Sequence, residues 1–238
     1  MHEGVEVRIP AGDGAPETPA YAILPPGARR GVVVIHEIFG RRPEIDRVVE
    51  RFADAGYAAV APDLMDRGRF RCLREVFGAI RKGTADIVAV RQGNHARAWL
   101  CEQTGLPAER VGLIGFCFGG GYALLAGSGW AAVSANYGPV PKAEAMRDLG
   151  PVIACYGSRD FGMRKEPERL RQRLAEVGHE PAELHMFDAG HCFLTDKPMK
   201  LLTFMPGAAI GDYPEARAEG WQHILGFFDR HLADRPPV

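Results

Sequence analysis

"VGLIGFCFGGGYALLAG", residues 111–127, is an apolar run that becomes glycine-rich, with a cysteine at the join. The unbroken apolar part reads as a β-strand over 110–116, covered on both faces. The part from about residue 118 reads as a helix. Gly115-Phe-Cys-Phe-Gly119 then has the layout glycine, any residue, nucleophile, any residue, glycine. A strand that turns sharply into a helix strains the backbone at the turn, and Cβ atoms on either side would collide. Such a turn lifts Cys117 clear of the sheet and sets its sulfur beside a helix N-terminus, where the dipole favours thiolate.

The same alternation extends outward from this point. Segments 5–9 and 21–25 read as an opening two-stranded ribbon, and 31–37 as a doubly covered strand. In 44–56, Ile45, Val48, Val49 and Phe52 share one helical face, with Gly56 as a stop. Strands are expected at 57–63, 131–138, 151–160 and 182–188, and helices at 84–104, 166–178 and 215–232. Strand–helix alternation implies an α/β fold: a mostly parallel sheet with helices on both faces, in a single domain spanning 1–238. Ligands in such sheets bind beyond the carboxyl ends of the strands.

Composition narrows the function classes. A net charge of −1 carries no basic field for nucleic acid or an anionic membrane. The chain has no secretory leader pattern and no apolar run of about 18 residues that would span a membrane. A cytoplasmic protein is expected. Cys72, Cys101, Cys117, Cys155 and Cys192 are odd in number and scattered, with no C-x-x-C pair, so neither a disulfide framework nor a structural zinc site is expected.

Several polar residues fall at the carboxyl ends of the expected strands: His36 and Glu37, Asp63, Cys117, Asp160 in "GSRDF", and His191 in "DAGHCF". Cys117, Asp160 and His191 follow the chain order nucleophile, acid, histidine. Asp160 would accept from one imidazole nitrogen and leave the other to face the sulfur. His36 reads as structural, His179 as a turn residue, His185 as a strand residue, and His223 and His231 as helix-surface residues. The backbone N–H groups of Ile38 and Phe118 are candidate oxyanion donors. Glu37 either holds the Cys117 thiol protonated, acts as its base, or pairs with Arg41. Cys192 adjoins His191. It is expected to point into the core, although facing the site would make it a disulfide partner for Cys117.

Together "HEIFG" (36–40), "AAVAPDL" (58–64), "GFCFGG" (115–120), "GSRD" (157–160) and "AGHCF" (189–193) resemble the dienelactone hydrolase family of the alpha/beta-hydrolase fold. The resemblance implies a triad of Cys117, His191 and Asp160, with Glu37 as the carboxylate that interacts with the thiol. It also implies hydrolysis of an enol-lactone to an open-chain keto acid, as in the catabolism of chlorinated aromatics, without metal or organic cofactor. One departure concerns substrate binding. The family pattern after the histidine is Ser-Phe-Ala-Arg, whereas here His191 is followed by Cys192-Phe193-Leu194-Thr195, so threonine stands in the place of a carboxylate-binding arginine. The arginine-rich segment 65–83 is a candidate rim, with Arg71 and Arg74 the nearest substitutes and Arg69 and Arg81 as further ones.

Thiolate chemistry favours esters and lactones over amides, because an enolate or alkoxide leaves more readily than an unprotonated amine. The expected partner is a small ester or lactone, an anionic one if the arginine-rich segment forms the rim. The alternatives are a broader carboxylesterase, an acyltransferase and a thiol sensor. The long connection 195–214 reads as a site wall, a lid or an oligomer contact; the oligomeric state is not legible.

Overall fold

A computed structural model describes residues 3–195 and 207–233. It contains one eight-stranded sheet. The strands are β1 (Val5–Ile9), β2 (Thr18–Ile23), β3 (Gly31–Ile35), β4 (Ala58–Pro62), β5 (Val111–Phe116), β6 (Val133–Asn136), β7 (Val152–Gly157) and β8 (Glu183–Phe187). Their spatial order is β1-β2-β4-β3-β5-β6-β7-β8. β1 and β2 pair antiparallel, β2 pairs antiparallel with β4, and every later pairing is parallel. β3, β4, β5, β6 and β7 are buried along their whole length, as doubly covered strands must be.

The helices are α1 (Pro43–Asp54), α2 (Arg69–Lys82), α3 (Val88–Thr104), α4 (Phe118–Ala126), α5 (Glu166–Glu176) and α6 (Pro214–His231). α1 buries Ile45, Val48, Val49, Phe52 and Ala53, the face that its apolar spacing marks. α2 gives the arginine-rich segment a definite form. Cys72, Val76, Ala79 and Ile80 make a narrow buried stripe, and the remaining turns are polar or exposed. So few apolar positions in so basic a segment leave little helical signal in the sequence. Of the 195–214 connection, residues 196–206 lie outside the described residues.

The topology places the site. From β3 the chain goes to β4 on one side, and β5 then lies on the other side. The carboxyl ends of β3 and β5 therefore flank a topological switch point, where an open α/β sheet leaves a crevice. The loop with His36, Glu37 and Ile38 emerges on one side of it, and Cys117 on the other.

At that point α4 lies against the sheet backbone with no side chain between. A Cβ on Gly115 would collide with the Gly119 carbonyl, and one on Gly119 with the carbonyls of Ile35 and His36. Gly115→Ala is expected to cost about 3 kcal/mol or more, since the obstructing atoms are backbone and no rotamer relieves the clash. Gly78→Ala, in α2 with open space around it, should instead stabilise by about 0.5–1 kcal/mol through helix propensity. Urea denaturation of both variants checks the contrast.

Candidate active site

Cys117 sits between β5 and α4 with φ 55° and ψ −114°, a left-handed backbone for a non-glycine residue. It is held there by bonds on both sides. Its N–H donates to the Asn136 carbonyl at 3.0 Å, and its carbonyl accepts from the N–H groups of Gly120 and Gly121 at 3.0 and 3.3 Å. The Asn136 side chain donates to the Gly115 carbonyl at 3.1 Å. The thiol is half-buried, and the N–H of Phe118 belongs to the first turn of α4, which has no intrahelical acceptors.

Asp160 and His191 are buried, and His191 Nδ1 donates to Asp160 Oδ2 at 2.6 Å. That bond fixes the tautomer and leaves Nε2 buried with no hydrogen-bond partner among the described residues, while the Cys117 sulfur acts on the ring. The loop carrying His191 is secured at several points. The His191 N–H donates to the Ala208 carbonyl at 2.7 Å. Trp221 Nε1 and Arg217 Nε on α6 donate to the carbonyls of Leu194 and Phe193 at 2.9 and 3.1 Å. Burial pushes the His191 imidazole toward its neutral form. The Cys117 and Cys192 sulfurs and the Asp160 carboxylate outweigh this and raise its pKa well above the ordinary value.

Glu37 is buried, and burial raises its pKa; His191, the Cys192 thiol and the Tyr137 hydroxyl oppose that rise. The pairing with Arg41 does not occur: Arg41 is bonded to Glu6 at 2.6 Å and to Asp46 at 2.8 Å. Instead, Glu37, Cys117 and Cys192 all act on the Tyr137 hydroxyl, whose ring stands edge-on to His191 at 5.0 Å. Tyr137 and Cys192 have φ of 40° and 62°. Among the described residues five non-glycine positions have positive φ, and three of them, Cys117, Tyr137 and Cys192, meet in this cluster. Backbone strain of this kind gathers at functional sites because the surroundings must over-determine it.

Two residues depart from the sequence reading here. Cys192 is buried, yet its thiol lies among Glu37, His191 and Cys117 rather than turning away from them. Tyr137 carries no motif and passes for a strand residue. The available signal is its position, just past the carboxyl end of β6. His36 is structural in a specific way. Its Nε2 accepts from the Leu64 N–H at 3.1 Å, so Nδ1 carries the proton and donates to the Glu37 carbonyl at 2.7 Å. Burial lowers its pKa. A neutral imidazole thus pins the loop of Glu37 and Ile38 to the end of β4.

Arg71 and Arg74 are not brought to the site. They line a separate surface cleft of about 500 Å³ with Glu75, Lys82, Thr84 and Asp86. The residues of α2 that approach the crevice are Phe77, edge-on to Phe118 at 5.9 Å, and Arg69, whose guanidinium lies over the Phe39 ring at 5.9 Å. Thr195 is buried, and its hydroxyl donates to the Cys192 carbonyl at 3.0 Å. It braces the chain where an arginine would reach outward.

The profile of the Dienelactone hydrolase family matches residues 18–232. The chain belongs to this family. It is 28% identical to a "Putative carboxymethylenebutenolidase" of Yersinia pestis, over 98% of this chain and 90% of that protein. It is 27% identical to a carboxymethylenebutenolidase of Rhodococcus opacus, over 94% of this chain and 90% of that one. A solved structure described as "Putative Dienelactone Hydrolase from Klebsiella pneumoniae" matches with a TM-score of 0.75 at 25% identity, covering 97% of this chain and 99% of that chain. The protein is thus a dienelactone hydrolase-like enzyme of the alpha/beta-hydrolase fold, acting on lactone or ester bonds. No helix among the described residues is long and apolar enough to cross a membrane.

Removing the Asp160 carboxylate should release the His191 proton. Asp160→Asn takes away a group that raises the imidazole pKa while leaving the burial that lowers it. The imidazolium should then lose its proton at a distinctly lower pH. A titration of the His191 ring proton by NMR measures the shift, and an unmoved curve would deny the pairing any electrostatic role.

Proposed function

We propose that the protein hydrolyses a small lactone or enol ester through a covalent acyl-enzyme, with Cys117 as nucleophile and His191 and Asp160 as its partners. The observation that carries this reading is the 2.6 Å His191–Asp160 bond behind a cysteine held left-handed on a strand-to-helix turn.

The electrostatics support one assignment of the protons. His191, whose proton is favoured by the Cys117 sulfur once that is ionised and by Asp160, is a poor base and a ready acid. Glu37, whose proton affinity is raised by burial, takes the Cys117 proton as substrate enters. The sulfur attacks the carbonyl carbon, and the resulting oxyanion meets the N–H groups of Ile38 and Phe118. Collapse breaks the acyl–oxygen bond, and His191 protonates the departing enolate oxygen. The neutral imidazole then takes a proton from water as that water attacks the thioester. Collapse of the second intermediate releases the acid and the sulfur, which recovers its proton from Glu37.

An acidic end of the substrate would meet Arg69, the cation of α2 beside the Glu37 loop. The distant cleft of Arg71 and Arg74 argues against their use, and Thr195 is committed to the Cys192 carbonyl.

Hydrolysis of a dienelactone and of p-nitrophenyl acetate, by the native protein and by Cys117→Ala, tests the proposal. Both activities should fall by about 10³-fold or more in the variant. Turnover of the simple ester alone would leave a broader carboxylesterase, and turnover that survives the substitution would sink the nucleophile. Arg69→Ala should raise KM about tenfold for the carboxylate-bearing lactone and leave the neutral ester unaffected. Glu37 must be ionised to accept a proton, so kcat/KM should fall as pH drops through a value above the ordinary carboxylate range. In Glu37→Gln, a pH–rate profile should show that limb gone and the plateau about 10²-fold lower or more.

A further inference from the structure

Cys192 has no task in ester hydrolysis, yet its placement is constrained. It follows His191 directly, and its left-handed backbone (φ 62°) is fastened through its carbonyl, which accepts from the Thr195 N–H at 3.3 Å and hydroxyl at 3.0 Å. Its sulfur stands in one buried cluster with His191, Glu37 and Tyr137, whose ring is 5.0 Å from that imidazole, and it feels the Cys117 sulfur. Cys117 belongs to the same cluster: its N–H is bonded to the Asn136 carbonyl at 3.0 Å, next to Tyr137, and its sulfur acts on the same imidazole. Two sulfurs therefore share one histidine, and they differ in access: Cys117 is half-buried, whereas Cys192 is 1% exposed. A solute can reach the first; the second can react only with a neighbour.

We propose that Cys117 and Cys192 form a dithiol pair that closes to a disulfide when a peroxide oxidises Cys117. The inference rests on Cys117 being the reactive thiol of the proposed mechanism, though not on any substrate. The Cys117 thiolate attacks one peroxide oxygen; an S–O bond forms, the O–O bond breaks, and the released hydroxide takes a proton to leave as water. Sulfur is oxidised by two electrons, giving the sulfenic acid, and the peroxide is reduced. Cys192 gives its proton to Glu37 and attacks the sulfenic sulfur. The S–S bond forms, the S–O bond breaks, and the proton leaves with the second water. Two thiols and one hydrogen peroxide become one disulfide and two waters. The bridge silences the nucleophile reversibly and keeps it from the sulfinic and sulfonic states, which a thiol cannot reduce.

The other cysteines supply a contrast. Cys155 is buried within β7 and Cys72 within α2, and burial pushes the Cys72 thiol up to about 12. Cys101, on α3, is partly exposed, and burial raises its thiol as well. None of them shares the imidazole of His191.

The test treats the native protein and Cys192→Ser with a severalfold molar excess of hydrogen peroxide. Intact mass, a non-reducing peptide map and the activity recovered with dithiothreitol are then followed, each relative to the untreated protein. The native chain should lose about 2 Da, yield a peptide linking Cys117 to Cys192, and regain nearly all its activity. Cys192→Ser should gain about 32 or 48 Da at Cys117 and recover at least tenfold less. Over-oxidation of the native chain on the same course as the variant, or a bridge to any other cysteine, overturns the proposal. Should Cys192→Ser fail to fold, the linked peptide from the native chain decides alone. The mass readout needs no turnover. A chain that bridges but hydrolyses nothing keeps this inference and loses the hydrolase reading, and the reverse result does the opposite.

Discussion

Everything at this site depends on how closely one helix approaches one sheet. α4 meets the carbonyls of β3 and β6 through glycine, and no side chain could be inserted there without collision. That contact forces the turn at Cys117 into its left-handed backbone, because α4 has to begin as soon as β5 ends. The strain is offset by the hydrogen bonds on both sides of the turn and by the burial of α4, whose nine residues are all out of solvent. The sulfur, the first-turn amides and the crevice between β3 and β5 thus come from one steric decision.

Around that turn the molecule concentrates groups that compete for protons. A carboxyl made reluctant to ionise by burial, an imidazole made willing to charge by two sulfurs and a carboxylate, and a phenol with a strongly raised pKa occupy one cluster. Each group's proton affinity is set by its neighbours rather than by its own chemistry. His36 is the counterexample within the same loop. It is neutral and bonded at both nitrogens, and it serves as a fixed strut. The difference between a functional and a structural histidine here lies in whether the second ring nitrogen has a backbone partner.

The strands and most helices were legible because their patterns are local. The doubly buried runs lack alternation, and Ile45, Val48, Val49 and Phe52 repeat at helical spacing. Cys117, Asp160 and His191 could be picked out as candidates because each stands just past a strand end, and the structure bonds the last two to each other. The illegible features depend on contacts between distant segments. Nothing local to Tyr137 says that its hydroxyl meets Glu37, or that Cys192 faces inward beside the same carboxylate. Among the arginines of α2, which one meets the site depends on the helix's rotation. Its stripe of Cys72, Val76, Ala79 and Ile80 turns Arg71 and Arg74 toward another cleft. A run of positive charge in a sequence has no such direction.

The strand order also fixes when the site can come into being. β3 pairs with β5 from Gly31↔Val111 onward, so the Glu37 loop and the turn at Cys117 cannot meet until some eighty intervening residues have been made and folded away. His191 arrives later still, on the loop beyond β8, which pairs with β7. On the ribosome Cys117 and Glu37 therefore precede His191 by more than seventy residues of synthesis, and a chain arrested between them holds the thiol and the carboxyl without the imidazole. Long-range parallel pairings of this kind are slow to form. The order of synthesis thus leaves the cluster incomplete until β8 and the loop beyond it exist.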